Sequence, residues 1–261
     1  MVRLPHHGDV RVVEIDVSDA CTLNNMIGIM GMAFRSDGFS FPVFQRLVNA
    51  HETDSVFSIC LSDEGGMLQL GSPDPALYKG KLAWTPIIAD KWFSLYIEQI
   101  VVNGVALPVN ASSINSGSDG CSLDSGTQVN IMHQDVHDAL RSEFLSLCEQ
   151  GRHLVGVCGY SPSNSTGLFD GHCFPMSDDD MASFPDISVK LRGGDVSLLQ
   201  TPDTYLTKPD TVPVGYRCLG WQPGICLLGD LAMKPYLSVH DIGRNRLGFA
   251  PVVRSRCKAG Q

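Results

Sequence analysis

The chain has 261 residues, 43% of them hydrophobic and 18% charged, and a net charge of −9. That is enough chain for one large domain or two lobes around a sizeable core, and too apolar a composition for a disordered protein. The acidic residues are spread out and no basic stripe accompanies them, which argues against nucleic acid as a partner.

Glycine (26) and proline (15) are plentiful and the apolar runs are short, so β structure with many turns is predicted. None of the nine cysteines falls in a C-x-x-C pair, which argues against a zinc ribbon or a thioredoxin motif. Disulfides in an oxidising compartment are the better reading, with an odd cysteine left over. Asn110-Ala-Ser112 and Asn164-Ser-Thr166 are glycosylation acceptor patterns that agree with it. The opening Met-Val-Arg-Leu-Pro-His-His-Gly has no apolar stretch of the kind a signal peptide needs. No run approaches the roughly 20 apolar residues that span a membrane. The expectation is a cytosolic chain or one lacking an upstream segment.

In chain order, residues 10–17 read as a strand rich in β-branched residues, and 27–34 as an apolar strand and turn broken by two glycines. Residues 41–50 have the spacing of a short helix, with Pro42 in its first turn. Residues 56–61 and 67–70 read as a hairpin, and 84–88 as a further strand. Residues 92–102 read as one long strand that turns at Asn103-Gly104 into 105–107.

Next comes Cys121-Ser-Leu-Asp-Ser-Gly-Thr-Gln-Val-Asn-Ile131. Here Asp124 ends an apolar approach, Gly126 permits a tight reversal beside the acid, and the Thr127 hydroxyl can donate and accept within the loop. Residues 133–148 have helical spacing, with Val136, Leu140, Phe144 and Leu147 near one face. His133 and His137 stand four apart but lack the glutamate of a zinc-protease helix, so a solvated face and no metal are expected. Residues 184–191 and 195–199 read as strands. Residues 224–230 form an apolar run that ends in Gly229, with Asp230 placed to cap a helix over 231–236. Two closing strands are predicted over 236–241 and 246–253.

The order of these pieces resembles the pepsin-like aspartic proteases, from about residue 10 to residue 253. Ile27-Gly-Ile-Met-Gly-Met-Ala-Phe34 is similar to the family's DGILGLAY segment, and the 56–71 hairpin to its LFSVYL…GGxLxLGG. Tyr78-Lys-Gly-Lys-Leu-Ala-Trp-Thr-Pro86 resembles YxGxLxWxPV. Leu123-Asp-Ser-Gly-Thr127 resembles the second catalytic DSGT, Cys226-Leu-Leu-Gly-Asp230 resembles xILGD, and residues 246–251 resemble NxxVGLAP.

The resemblance implies a mainly β, pepsin-like acid protease fold, with a complete C-terminal lobe and a partial N-terminal lobe. Residues 1–77 would be the remnant of the first lobe with inter-lobe strands, and 78–261 the second lobe. It implies an aspartic endopeptidase with protein or peptide substrates and no cofactor or metal, from the secretory pathway or an extracellular, lysosomal or vacuole-like compartment. Asp124 would be the second catalytic aspartate, supported by Ser125, Gly126 and Thr127, with Leu228 and Gly229 passing beneath it. Gln128 stands where the family usually has Ser or Thr, and is expected to affect substrate preference. Cys173 and Cys218 should pair, and Cys148 could pair with Cys158.

The resemblance begins just after the flap. The first tyrosine is Tyr78, and Asp9, Asp16, Asp37 and Asp170 lack the Thr/Ser-Gly that follows a catalytic aspartate. Three readings follow: a truncated endopeptidase missing its N-terminal lobe, a non-catalytic pepsin-like binding protein, or two copies that pair their Asp124 loops.

Overall fold

The computed structural model describes residues 2–6, 9–13, 30–34, 41–63, 65–89, 91–116, 119–160 and 166–257, the first two segments by their backbone alone. A five-stranded antiparallel sheet brings early and late parts of the chain together, in the order Gly65–Leu70, Val56–Ser62, Tyr236–Asp241, Arg246–Pro251, Ala83–Pro86. Its strands come from both sides of position 77/78. Alternation gives the sheet two apolar faces. Phe57, Leu247 and Phe249 join the main core, while Cys60, Leu237 and Val239 pack with Leu77 and Val252. A disulfide between Cys60 and Cys257 clamps that second cluster across 197 residues of chain.

A four-stranded antiparallel sheet runs Ser197–Gln200, Ile187–Leu191, Ile97–Val102, Val105–Ala106. Its tight turn is the predicted Asn103-Gly104, with φ of +50° and +81° as a type I′ turn requires. The helix Gln134–Glu149, which packs against the strand Trp221–Pro223, buries Val136, Leu140, Phe144 and Leu147 in the main core. A mixed five-stranded sheet, Trp221–Pro223, Asn130–Met132, Leu227–Leu228, Cys121–Leu123, Ser94–Leu95, carries the Asp124 loop. Among the described residues there are two smaller sheets, one of three strands and one pairing Val2–His6 with Asp9–Val13. The protein is mainly β, with a few short helices around one long one.

Several expectations need correction. The single strand over 92–102 is two strands in different sheets, Ser94–Leu95 and Ile97–Val102. At the break, Tyr96 O accepts the Arg192 N–H (3.0 Å) and the Arg192 guanidinium lies 3.4 Å from the Tyr96 ring centroid. The Asn115 amide then takes both backbone groups of Ile97, accepting its N–H (2.9 Å) and donating to its carbonyl (2.7 Å). Asn115→Ala would strand two buried polar groups at this corner. It is expected to cost about 2–3 kcal/mol in denaturant melts, whereas Asn103→Ala, at an exposed turn, should cost less.

His137 is not on a solvated face. It is 5% exposed and packs edge-on to Phe169, and burial pulls its imidazole below the usual range. The helix expected over 231–236 is only Asp230–Met233, and Gly229, not Asp230, is its N-cap residue. Residues 30–34 form no regular element, and 27–29 lie outside the described residues, as do 14–17 of the first predicted strand. The expected Cys173–Cys218 and Cys148–Cys158 disulfides are present. Among the described residues no helix is long and apolar enough to cross a membrane.

Candidate active site

Cys121–Leu123 is a short strand buried at Cys121 and Leu123, with Phe93 O accepting the Leu123 N–H (3.0 Å). It delivers Asp124 to a turn in which Thr127 N–H donates to Asp124 O (3.2 Å). The carboxylate is fixed by its own loop. Gly126 N–H donates to Oδ1 (2.9 Å) and Thr127 Oγ1 donates to Oδ2 (2.6 Å). Both donors lie within three residues of the acid, so the loop sets the carboxylate's rotamer without outside help. Asp124 is half-buried, while Ser125, Gly126 and Gln128 are exposed around it.

The support comes from the segment 227–230. Leu227–Leu228 pairs in parallel with Ser122 and Leu123, and Leu227 pairs antiparallel with Ile131 on its other side. Leu228, fully buried, accepts the Asp124 N–H at its carbonyl (2.9 Å). Gly229 then passes so close to the loop that an added Cβ would collide with the carbonyl oxygens of Thr127 and Val129. Asp230 N–H donates to that same Thr127 carbonyl (2.8 Å), and Gly229 N–H donates to Asn130 Oδ1 (3.2 Å). The predicted Asp124, Gly126, Thr127, Leu228 and Gly229 are thus one bonded unit. Ser125 and Gln128 sit on its exposed rim.

Three features of this unit were not anticipated. A Cys121–Cys226 disulfide ties together the two strands that carry Asp124 and Gly229. Each cysteine stands three residues before its motif residue, a symmetry visible in the sequence. Asn130 and Gln200, both fully buried, form an amide pair beneath the loop through Asn130 Nδ2–H and Gln200 Oε1 (2.8 Å). Asp230 is engaged by Lys234 (3.5 Å), which also reaches Asp63 (3.0 Å). Burial nonetheless pushes the Asp230 carboxyl above the usual range, while its backbone N–H supports the loop at the Thr127 carbonyl. Among the described residues, no group of three or more His, Cys, Asp or Glu could hold a metal ion. An open groove of about 710 Å³ runs between Asn103, Arg152, His153, Ser183 and Asp186, and no residue of the Asp124 loop lines it.

A family model described as eukaryotic aspartyl protease matches residues 8–252. The chain belongs to the eukaryotic aspartyl proteases. Within that family it is 27% identical to chymosin of Camelus dromedarius over 243 residues, covering 89% of this chain and 55% of chymosin. It is 30% identical to gastricsin of Oryctolagus cuniculus over 237 residues, 85% of this chain and 54% of gastricsin. It is 27% identical to cathepsin E of Aquarana catesbeiana over 246 residues, 88% of this chain and 54% of that protein. The chain therefore spans about half the length of the aspartyl proteases it matches. The described disulfides, Cys60–Cys257, Cys121–Cys226, Cys148–Cys158 and Cys173–Cys218, fit an oxidising compartment.

Proposed function

We propose that this chain supplies one half of the catalytic site of an aspartic endopeptidase, with Asp124 as one of the two carboxylates. The observation that carries this reading is the fixed carboxylate at an open rim, held by Gly126 N–H and Thr127 Oγ1 above the Leu228–Gly229 segment. Two carboxylates about 3 Å apart cannot both ionise, and pepsin is the standard example of such a pair sharing one proton. The ionised member takes a proton from a water, which attacks the scissile carbonyl carbon. The protonated member donates to the carbonyl oxygen, and the amine then leaves with a proton. No side-chain nucleophile, metal or cofactor takes part.

The second carboxylate would come from the N-terminal lobe, on a segment not included in the 261 residues, because Asp-Ser/Thr-Gly occurs once in them. The described C-terminal lobe would meet that lobe across the cleft, over the five-stranded sheet that joins residues 56–70 to 236–251. Substrates would be proteins or peptides. Gln128 on the rim would contact the substrate backbone. Trp92, 47% exposed, precedes Phe93, whose carbonyl accepts the Leu123 N–H, and would offer an apolar platform to a substrate there. The disulfide set points to the secretory pathway or to an extracellular, lysosomal or vacuole-like destination.

The test is acid-pH hydrolysis of a denatured protein by the product of the natural locus, at whatever length the cell makes it. Cleavage inhibited by a statine-containing peptide is expected, with Asp124→Asn lowering kcat by about 10²–10⁴-fold. Unchanged cleavage by the variant would overturn the assignment. Peptide binding with no cleavage would favour the non-catalytic binding protein. Hydrolysis by the 261 residues alone, lost in Asp124→Asn, would favour two paired copies.

A further inference from the structure

We propose that Asn110 carries an N-linked glycan. The acceptor triplet Asn110-Ala-Ser112 has a small, non-proline middle residue, and both Asn110 and Ser112 are exposed. Asn110 is the N-cap residue of the helix Ala111–Ile114, where its carbonyl accepts the N–H groups of Ser113 (2.9 Å) and Ile114 (3.1 Å). An asparagine at this position ordinarily also uses its side chain to accept a helix N–H. Asn110 makes no such bond, so among the described residues its amide is not committed to capping the helix.

Neighbouring asparagines are spent differently. The Asn115 amide locks Ile97, and Asn130 is fully buried beneath the Asp124 loop. The fold here therefore tolerates a large substituent on Asn110 and would not tolerate one on Asn115. The disulfide set fits an oxidising compartment, as the transfer requires.

The donor is a lipid-diphosphate-linked oligosaccharide. The Asn110 Nδ2 bonds to the anomeric carbon of its first sugar and gives up one proton. The anomeric carbon–oxygen bond to phosphate breaks, and the lipid diphosphate leaves. The second triplet, Asn164-Ser-Thr166, has its asparagine outside the described residues and carries no weight here.

The experiment is expression of the 261 residues behind a cleavable secretion leader in a eukaryotic cell, followed by peptide mass spectrometry with and without peptide N-glycosidase. The expected result is a glycosidase-sensitive mass loss with Asn110 converted to Asp in its peptide. Asn110→Gln and Ser112→Ala should both abolish it, and Ser112→Thr should preserve or raise occupancy. Ser112→Ala leaves Asn110 itself in place, so its loss of the glycan does not depend on how well the Gln variant folds. An unmodified Asn110 peptide from the secreted, disulfide-bonded protein would overturn the proposal. So would a glycan confined to Asn164.

Discussion

Gly229→Ala is expected to destabilise the protein by about 3 kcal/mol or more and to displace the Asp124 loop with it. Gly229 has φ −88°, which any residue adopts, so the cost is steric and not conformational. Its Cβ would enter the space of the Thr127 and Val129 carbonyls. Neither carbonyl can retreat cheaply. Thr127 O holds the Asp230 N–H, while Thr127 N–H and Oγ1 both hold Asp124. Moving the strand instead would stretch the bonds from Asp124 N–H to Leu228 O and from Gly229 N–H to Asn130 Oδ1. Gly31→Ala is the control, because no atom of the described residues lies within 4 Å of a Cβ added there, and it should fall within about 0.5 kcal/mol of the parent. Urea melts of the two variants and the amide shifts of residues 124–128 measure the effect. A Gly229→Ala protein with parent stability and unmoved loop shifts would show that the loop can slide over the 227–230 segment.

The legible parts of this site are those whose physics is local. Asp124-Ser-Gly-Thr places two donors within three residues of the acid, so the loop could be read as a unit before its support was known. Asn103-Gly104 specified its turn because both positions need positive φ. The long helix declared itself by the spacing of Val136, Leu140, Phe144 and Leu147. The misread parts depend on partners far along the chain. Phe93, Ser94, Leu95 and Ile97 are all buried, a run that cannot show where one sheet hands over to another. The break at Tyr96 is made by Arg192 and Asn115, distant in sequence. His137 looked solvated because nothing nearby announces that Phe169 covers it. The pairing of Cys121 with Cys226 and the Asn130–Gln200 amide pair likewise span separations that no window of sequence contains.

Lowering the pH from 7.5 to 4 is expected to cost the parent protein more stability than it costs His240→Phe. His240 is 2% exposed, stacked on Phe57 (centroids 4.3 Å, interplanar angle 9°) and met edge-on by Phe93 (4.5 Å). Neither ring nitrogen has a hydrogen-bond partner among the described residues. Burial in this aromatic slot pulls the imidazole down to about 3, from 6.5. The neighbouring charges, Asp241 with Arg244 and Arg246, sit at the next position of the strand, where alternation turns the side chain to the other face.

The unfolded chain therefore binds a proton here between pH 6.5 and about 3 that the folded chain refuses, so stability rises with pH across that window. The contribution is fully present above pH 6.5 and is lost as the pH falls toward 3, at about 1.4 kcal/mol per pH unit and up to about 5 kcal/mol in all. Phenylalanine does not titrate, so any overpacking it introduces shifts stability by the same amount at every pH. The melting temperature of the variant minus that of the parent should rise steadily as the pH is lowered below about 6.5. A gap that stays constant from pH 7.5 to 4 would mean that His240 accepts a proton in the folded protein. At acid pH His240 therefore opposes the folded state.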